Sequence, residues 1–188
     1  MKRLFFNKAL KILLSTNAFI LMAGAMLGPI YALFVEKVGG DLMDVSIAGG
    51  IFALVAGLTT LISGKYSDTI KENELIVVLG YSIMGTGFLL YFWVDSIIFL
   101  FIVQAIIGIG EAIYSPAFDA VYSKHLDGHK SGSQWGTWGS MNYFTTAIGA
   151  VVGGGLVTLF GFRILFIIMA LFCFSSALYI YHLKRSVL

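Results

Sequence analysis

The sequence predicts an all-α membrane protein with about six transmembrane helices. Of its 188 residues, 59% are hydrophobic and only 12% are charged, whereas soluble domains carry about 25% charged residues. The mean hydropathy is +0.91. Because one membrane helix takes about 20 apolar residues, this length leaves no room for a separate soluble domain. We therefore expect residues 1–188 to form one multi-pass transmembrane domain.

The first predicted span covers about residues 12–35. A basic segment precedes it and the small residues Ala23 to Ala25 lie within it, a combination that also occurs in secretory signal peptides. However, the apolar run continues to Val35, which makes it longer than the apolar core of a signal peptide. We interpret the segment as a membrane helix in which Pro29 favours a kink.

The second span is predicted to follow the turn Gly39-Gly40-Asp41 and to begin near Asp44. Short loops join it to the spans that follow. The predicted second to sixth spans cover about residues 45–63, 75–94, 97–123, 133–160 and 163–182.

The fourth span carries a polar face. Its polar and small residues recur at intervals of four and three positions, which places them on one side of a helix: Gln104, Gly108, Glu111, Ser115, Asp119 and Tyr122. A carboxylate near the middle of a membrane helix is costly when it faces lipid, so this side must face a protein interior or a water-filled cavity. We interpret it as the lining of a transport pathway.

The positions of Lys and Arg predict the orientation. If the N-terminus is cytoplasmic, ten of the twelve Lys and Arg residues lie on the cytoplasmic side and only Lys37 and Arg163 lie outside. The positive-inside rule then places both termini in the cytoplasm, which requires an even number of spans. We expect an integral protein of a prokaryotic cytoplasmic membrane.

The segment after the second span resembles a loop motif of the major facilitator superfamily. Gly64, Ser67 and Asp68 match its glycine, small residue and aspartate, while Lys71 and Glu72 replace a glycine and an arginine. The resemblance implies that Gly64 and Asp68 belong to a latch that holds one conformation, and the alternative for Asp68 is an exposed loop acid. For Asp119, near the cytoplasmic end of the fourth span, we expect either a latch contact or solvation.

The fourth and fifth spans extend the resemblance. Gln104 occupies the place of an arginine in the family's fourth helix and is followed by Gly108, Gly110 and Pro116. The fifth span is similar to the family's glycine-rich helix through Gly149, Gly153, Gly154 and Gly155. The resemblance covers essentially the whole chain. It implies one six-helix half of a two-half transporter, composed of two inverted three-helix repeats.

A six-helix half leads to the prediction of a homodimer. In a monomer the polar side chains expected along the cavity would face hydrocarbon. A parallel two-fold dimer of two half-transporters would enclose them. Glycines at helical spacing in the second and fifth spans predict dimer or helix-packing contacts at Gly50, Gly57, Gly149 and Gly153.

The predicted function is secondary active transport of a small solute by alternating access, without a cofactor. The predicted pathway consists of Asn17, Tyr31, Gln104, Glu111, Ser115, Asn142 and Thr146. Burial favours the neutral form of a carboxyl group, so Glu111 is a candidate to bind a proton on one side and release it on the other. The structural alternative is a neutral Glu111 that hydrogen-bonds a neighbouring helix.

A rival hypothesis is a non-transporting accessory or truncated half that binds a membrane partner. The residues do not indicate an enzyme or a metal site, since His125 and His129 have no further ligand nearby and Gly128 breaks the segment between them. The cations form no continuous basic face, which argues against a nucleic-acid partner. Cys173 is the only cysteine, which excludes a disulfide within the chain.

Overall fold

The computed structural model describes residues 7–184 and 187–188, and the regular structure in this part of the chain is helical. The first span consists of α1 (Lys8–Leu27), a 3₁₀ turn (Gly28–Ile30) and α2 (Tyr31–Lys37). The other spans are α3 (Leu42–Thr69), α4 (Asn73–Leu90) with the 3₁₀ turn Tyr91–Trp93, α5 (Ile97–Lys124), α6 (Ser131–Phe160) and α7 (Phe162–Tyr181). Within the described residues, six helical segments are long and apolar enough to cross a membrane, which confirms the predicted helical class. Lys2, Arg3 and Arg185, which the orientation argument counts, lie outside the described residues.

The second span begins earlier than predicted. The Asp41 carboxylate accepts hydrogen bonds from the backbone N–H groups of Met43 and Asp44, at 2.8 and 3.0 Å. In return, the Asp44 carboxylate accepts a hydrogen bond from the Asp41 N–H at 2.9 Å. This reciprocal cap starts the helix at Leu42, with Asp44 inside its first turn.

The second span also ends later than predicted. Residues 64–69, expected to lie in a loop, form the last turns of α3, which ends at Thr69. The Asn73 amide donates a 3.0 Å hydrogen bond to the carbonyl of Ser67 and so satisfies one of the last carbonyl groups of the helix. The motif-like residues Gly64, Ser67 and Asp68 are therefore helical.

Proline interrupts the first span. Pro29 lies in the 3₁₀ turn between α1 and α2. Because proline lacks a backbone N–H, it removes one hydrogen bond from the α-helical ladder. The interruption sets the start of α2 at Tyr31.

Four spans form the core of the bundle and two lie at its flanks. α5 packs on α3 and α4, α4 also packs on α7, and α1 packs on α6 and α7. We compared the buried share of residues in the most apolar stretch of each span. This share is 44% in each of the spans that contain α4, α5 and α7, but only 6% in α3 and 17% in α6. α3 and α6 therefore expose most of their apolar surface.

Small residues set the closest helix contacts. A methyl group at Gly80 would lie 2.7 Å from the carbonyl oxygen of Gly110, so α4 and α5 approach each other almost backbone to backbone. The Ser63 hydroxyl donates a 2.5 Å hydrogen bond to the carbonyl of Ala112 and ties α3 to α5. These contacts hold the fourth span between the second and the third.

Candidate functional site

An open cavity of about 460 Å³ lies between the first four spans, with Met169 of α7 also in its wall. Its polar side chains are Tyr31, Tyr91, Gln104 and Glu111. The rest of the wall consists of glycines and apolar or aromatic side chains. None of the described residues that line it is lysine, arginine or histidine. The cavity is thus a largely apolar site with a few polar groups, the usual composition of a small-molecule site.

A hydrogen bond joins two of the predicted pathway residues. The side-chain amide of Gln104 donates to the hydroxyl of Tyr31 at 2.6 Å. Tyr31 is the first residue of α2, so the 3₁₀ turn that ends the α1 ladder positions its ring. The bond links the broken part of the first span to the middle of α5.

Glu111 lies on the same face of α5, two turns after Gln104. Its side chain is half-buried and lines the cavity. Within the described part of the chain, no hydrogen bond or ion pair engages its carboxyl group. This geometry favours a role towards the cavity over the alternative of a hydrogen bond that joins two helices.

Four other predicted pathway residues do not line this cavity: Asn17, Ser115, Asn142 and Thr146. Asn17 is buried, and its amide oxygen has no hydrogen-bond partner among the described residues. Ser115 and Asn142 are half-buried, and Thr146 is exposed on α6. The cavity therefore unites Tyr31, Gln104 and Glu111 but not the whole predicted set.

The predicted latch residues lie near one end of the bundle. Gly64 is half-buried and Asp68 is exposed, both in the last turns of α3. Asp119 is half-buried in the last two turns of α5. A methyl group at Gly64 would meet no atom within 4 Å, so no helix of this chain requires a glycine there.

The two predicted glycine seams differ in their surroundings. At Gly149 a methyl group would lie 2.9 Å from the Cβ of Ala25, and at Gly153 it would clash with the carbonyl of Met26. These two glycines pack against the first span of the same chain, so of the two predicted alternatives their close contact is helix packing within the chain. Gly50 and Gly57 are exposed with open space around them.

The second and third spans contribute residues to the cavity wall that were not predicted from the sequence. Val45, Gly49 and Phe52 of α3 line the cavity, as do Met84, Phe88 and Tyr91. Both triplets have spacings of four and three, the same helical period as the polar face of α5. Apart from the hydroxyl of Tyr91, their side chains carry no polar atom. Helical spacing was therefore the only sequence signal for these residues, and the same spacing occurs on a helix face that packs in a core.

Comparison with known proteins identifies related transporters. A model of the Major Facilitator Superfamily matches residues 13–187. An uncharacterized MFS-type transporter of Methanocaldococcus jannaschii is 25% identical over 190 residues, which cover 92% of this chain and 46% of that protein. Multidrug resistance protein MdtG of Yersinia enterocolitica is 27% identical over 171 residues, covering 88% of this chain and 41% of MdtG. An uncharacterized MFS-type transporter of Bacillus subtilis is 22% identical over 158 residues, covering 83% of this chain and 94% of its own length.

The chain spans less than half the length of the first two of these relatives and matches nearly all of the third. The family model covers almost the whole chain and overlaps every membrane-length helix that the structure describes. Six apolar helices agree with an integral, multi-pass membrane protein. The predicted family is confirmed, and the chain belongs to the Major Facilitator Superfamily of membrane transporters.

Proposed function

We propose that this chain is a secondary active transporter of a small solute that works by alternating access. The observation that carries the proposal is the open cavity in which Tyr31, Gln104 and Glu111 from the first and fourth spans come together. Membership of a transporter family supports it. In transporters built from repeats, the solute site lies near the middle of the membrane at the interface of the repeats.

The composition of the cavity favours a neutral or cationic solute with an apolar body. Glu111 supplies one carboxyl group, and the aromatic rings of Phe52 and Phe88 supply apolar surface. No described lysine, arginine or histidine lines the wall to bind an anion. One relative is named a multidrug resistance protein, which agrees with a solute of mixed apolar and polar character.

Glu111 is the proposed site of proton coupling. Its carboxyl group lies at the cavity surface with no hydrogen bond or ion pair within the described chain, so its proton can exchange with whichever side the cavity opens to. Binding of a cationic solute would favour the ionised form of the group and release its proton. Exchange of a proton for a solute at one carboxyl group is sufficient to couple their movements.

We propose that two copies form the complete transporter. Two relatives are more than twice as long as the segment they share with this chain, which agrees with a second six-helix unit. The α3 face around Gly50 and Gly57 has open space and would allow close approach of another helix. Asp68, exposed on α3, would then face the partner copy as part of the latch.

The packing of the spans supports two inverted three-helix repeats. The second span packs on the fourth, as the fifth packs on the first. The third span packs on the fourth, as the sixth packs on the first, and the third and sixth pack on each other. Exchange of spans one to three with four to six leaves these contacts unchanged, while the fifth span also packs on the sixth without an equally close contact between the second and third. We also propose that both termini are cytoplasmic, because ten of the twelve Lys and Arg residues then lie on the cytoplasmic side.

The test is solute flux in proteoliposomes under an imposed pH gradient, with ethidium as a cationic probe. We expect the wild-type protein to accumulate ethidium and to move protons in the opposite direction, detected with an enclosed pH-sensitive dye. Glu111→Gln removes the ionisable group at nearly constant volume and should abolish the flux driven by the gradient. Glu72→Gln, at an exposed loop position, is the matched control and should transport normally.

The rival hypothesis of an accessory half gives a different pattern. It predicts no flux from the wild-type protein and no effect of Glu111→Gln on assembly. Replacement of Gly57 would nevertheless disrupt binding to the membrane partner. Undiminished flux by Glu111→Gln would contradict proton coupling through this residue, while leaving transport itself in place.

A further inference from the structure

A second cavity lies at the end of the bundle opposite the chain termini. Its volume is about 620 Å³, and it lies between the end of the first span, the start of α7 and the loop after the third span. Lys37, Arg163 and Asp95 all line it. Among the described residues, Lys37 and Arg163 are the only lysine and arginine at this end of the bundle. Both line this cavity.

Aromatic rings position both cations. The Lys37 ammonium lies 5.5 Å from the centre of the Phe162 ring, and the Arg163 guanidinium lies 5.1 Å from the centre of the Phe92 ring. Cation–π contacts of this kind hold the charge without using its N–H donors. Within the described residues neither cation forms an ion pair with a carboxylate. Their donors therefore remain available to an external anion.

The ends of the membrane-length helices place the cavity at the expected level of the membrane interface. Lys37 is the last residue of the first span and Arg163 is the second residue of the sixth. Trp93, at the end of the third span, exposes 56% of its surface beside Phe92. Exposed tryptophan at a span end is typical of the headgroup region of a bilayer. Much of the wall below the cations is aromatic, as Phe34, Tyr91 and Phe166 also line the cavity.

The charges at this end select the type of ligand. The charged residues in the cavity wall are two cations, Lys37 and Arg163, and one carboxylate, Asp95. A purely anionic ligand would leave the Asp95 carboxylate without a partner, whereas a zwitterion with a phosphate and an amine can pair with all three charged groups. The phosphate would pair with Lys37 and Arg163, as guanidinium and ammonium groups commonly do. The amine would donate to the Asp95 carboxylate.

We propose that this cavity binds the phosphoethanolamine headgroup of a membrane phospholipid. The aromatic wall meets the glycerol and upper acyl carbons, which a free phosphate does not have. The inference concerns a different cavity from the transport site and does not depend on the transport proposal.

The test is lipid titration of the delipidated full-length protein, followed by native mass spectrometry. Phosphatidylethanolamine, phosphatidylcholine and phosphatidylglycerol with identical acyl chains are compared. We expect tightest binding of phosphatidylethanolamine, since its ammonium donates hydrogen bonds that choline cannot. The double variant Lys37→Gln/Arg163→Gln removes both contacts to the phosphate and should weaken this binding at least about tenfold, the effect expected for the loss of one charge-assisted contact alone. The control Lys65→Gln/Lys71→Gln removes two exposed cations at the other end and should bind normally.

Asp95→Asn separates the two parts of the headgroup. Asp95 is exposed, so its replacement should not disturb the fold. The variant should lose the preference for phosphatidylethanolamine over phosphatidylcholine, while both lipids still bind through their phosphate. Asp95→Asn also tests the proposal if the double variant does not fold. Equal binding to wild type and the Lys37/Arg163 variant, equal loss in the control, or an unchanged preference in Asp95→Asn would each overturn the proposal. Displacement of the lipid by equimolar inorganic phosphate would assign the site to a soluble anion and would overturn it as well.

Discussion

The hydrogen bond from Gln104 to Tyr31 connects two helices at the cavity surface. Both residues lie on faces that helical spacing predicts from the sequence, and the structure brings them to 2.6 Å. Asn17 shares the Tyr31 face by the same spacing but lies outside the cavity. It is seven residues before Gly24, about 10 Å further along the helix axis, so the face is right but the cavity does not extend that far.

Tyr31→Phe should weaken both the fold and the transport. The change removes the acceptor of the Gln104 amide and leaves the ring in place, which should cost about 0.6 kcal/mol of unfolding free energy for a bond between membrane helices. Because the unpaired amide lies at the cavity surface, we also expect slower ethidium flux in proteoliposomes. Tyr143→Phe, on an exposed position of α6, is the control. Equal flux and equal stability in the two variants would show that the bond has no role in the site.

At the scale of the helix, α6 shows why a small-residue seam does not identify its partner. Its seam predicts close approach to another helix, and in the structure that helix is α1 of the same chain. α3 carries a comparable seam whose glycines remain exposed. Glycine spacing determines which side of a helix can be approached closely, but the connections of the bundle determine which helix approaches it.

Gly153→Ala should destabilise the bundle, because its methyl group would meet the backbone of Met26. Overpacking of this kind costs about 1–3 kcal/mol. Gly154→Ala is a matched control, since a methyl group at that neighbouring position has open space. Thermal unfolding in detergent, followed by circular dichroism, measures both variants. A melting temperature of Gly153→Ala equal to that of Gly154→Ala would contradict the close packing of α6 on α1.

At the scale of the whole molecule, the exposed face of α3 is the proposed contact between two copies. Gly50→Leu/Gly57→Leu should leave the helical fold of each copy intact by far-UV circular dichroism, because open space surrounds both positions in this chain. The same change should convert a dimer to a monomer in native mass spectrometry from lipid nanodiscs. Gly155→Leu, exposed with open space on α6, is the control and should remain dimeric. A dimer that survives the double change would exclude this face as the contact.

The ends of α3 also separate local from tertiary information. The predicted start near Asp44 was wrong by two residues, because the Asp41 side chain caps the helix from outside it. The predicted loop at 64–69 was wrong because Asn73, in the next helix, accommodates the additional turns through its bond to Ser67. The first error concerns a cap that lies within the local sequence, whereas the second depends on where α4 begins.

The sequence by itself determined the class, the helix number and the polar face of α5, since these depend on composition and on the 3.6-residue period of one chain segment. Family membership also followed from local motifs and is confirmed by the match over residues 13–187. Only the tertiary structure decided which predicted polar residues meet in one cavity, which apolar residues complete its wall and which glycine seam is already occupied. These properties depend on contacts between segments distant in the chain, and the pattern within each helix is the same whether its apolar face meets lipid, another helix or a cavity.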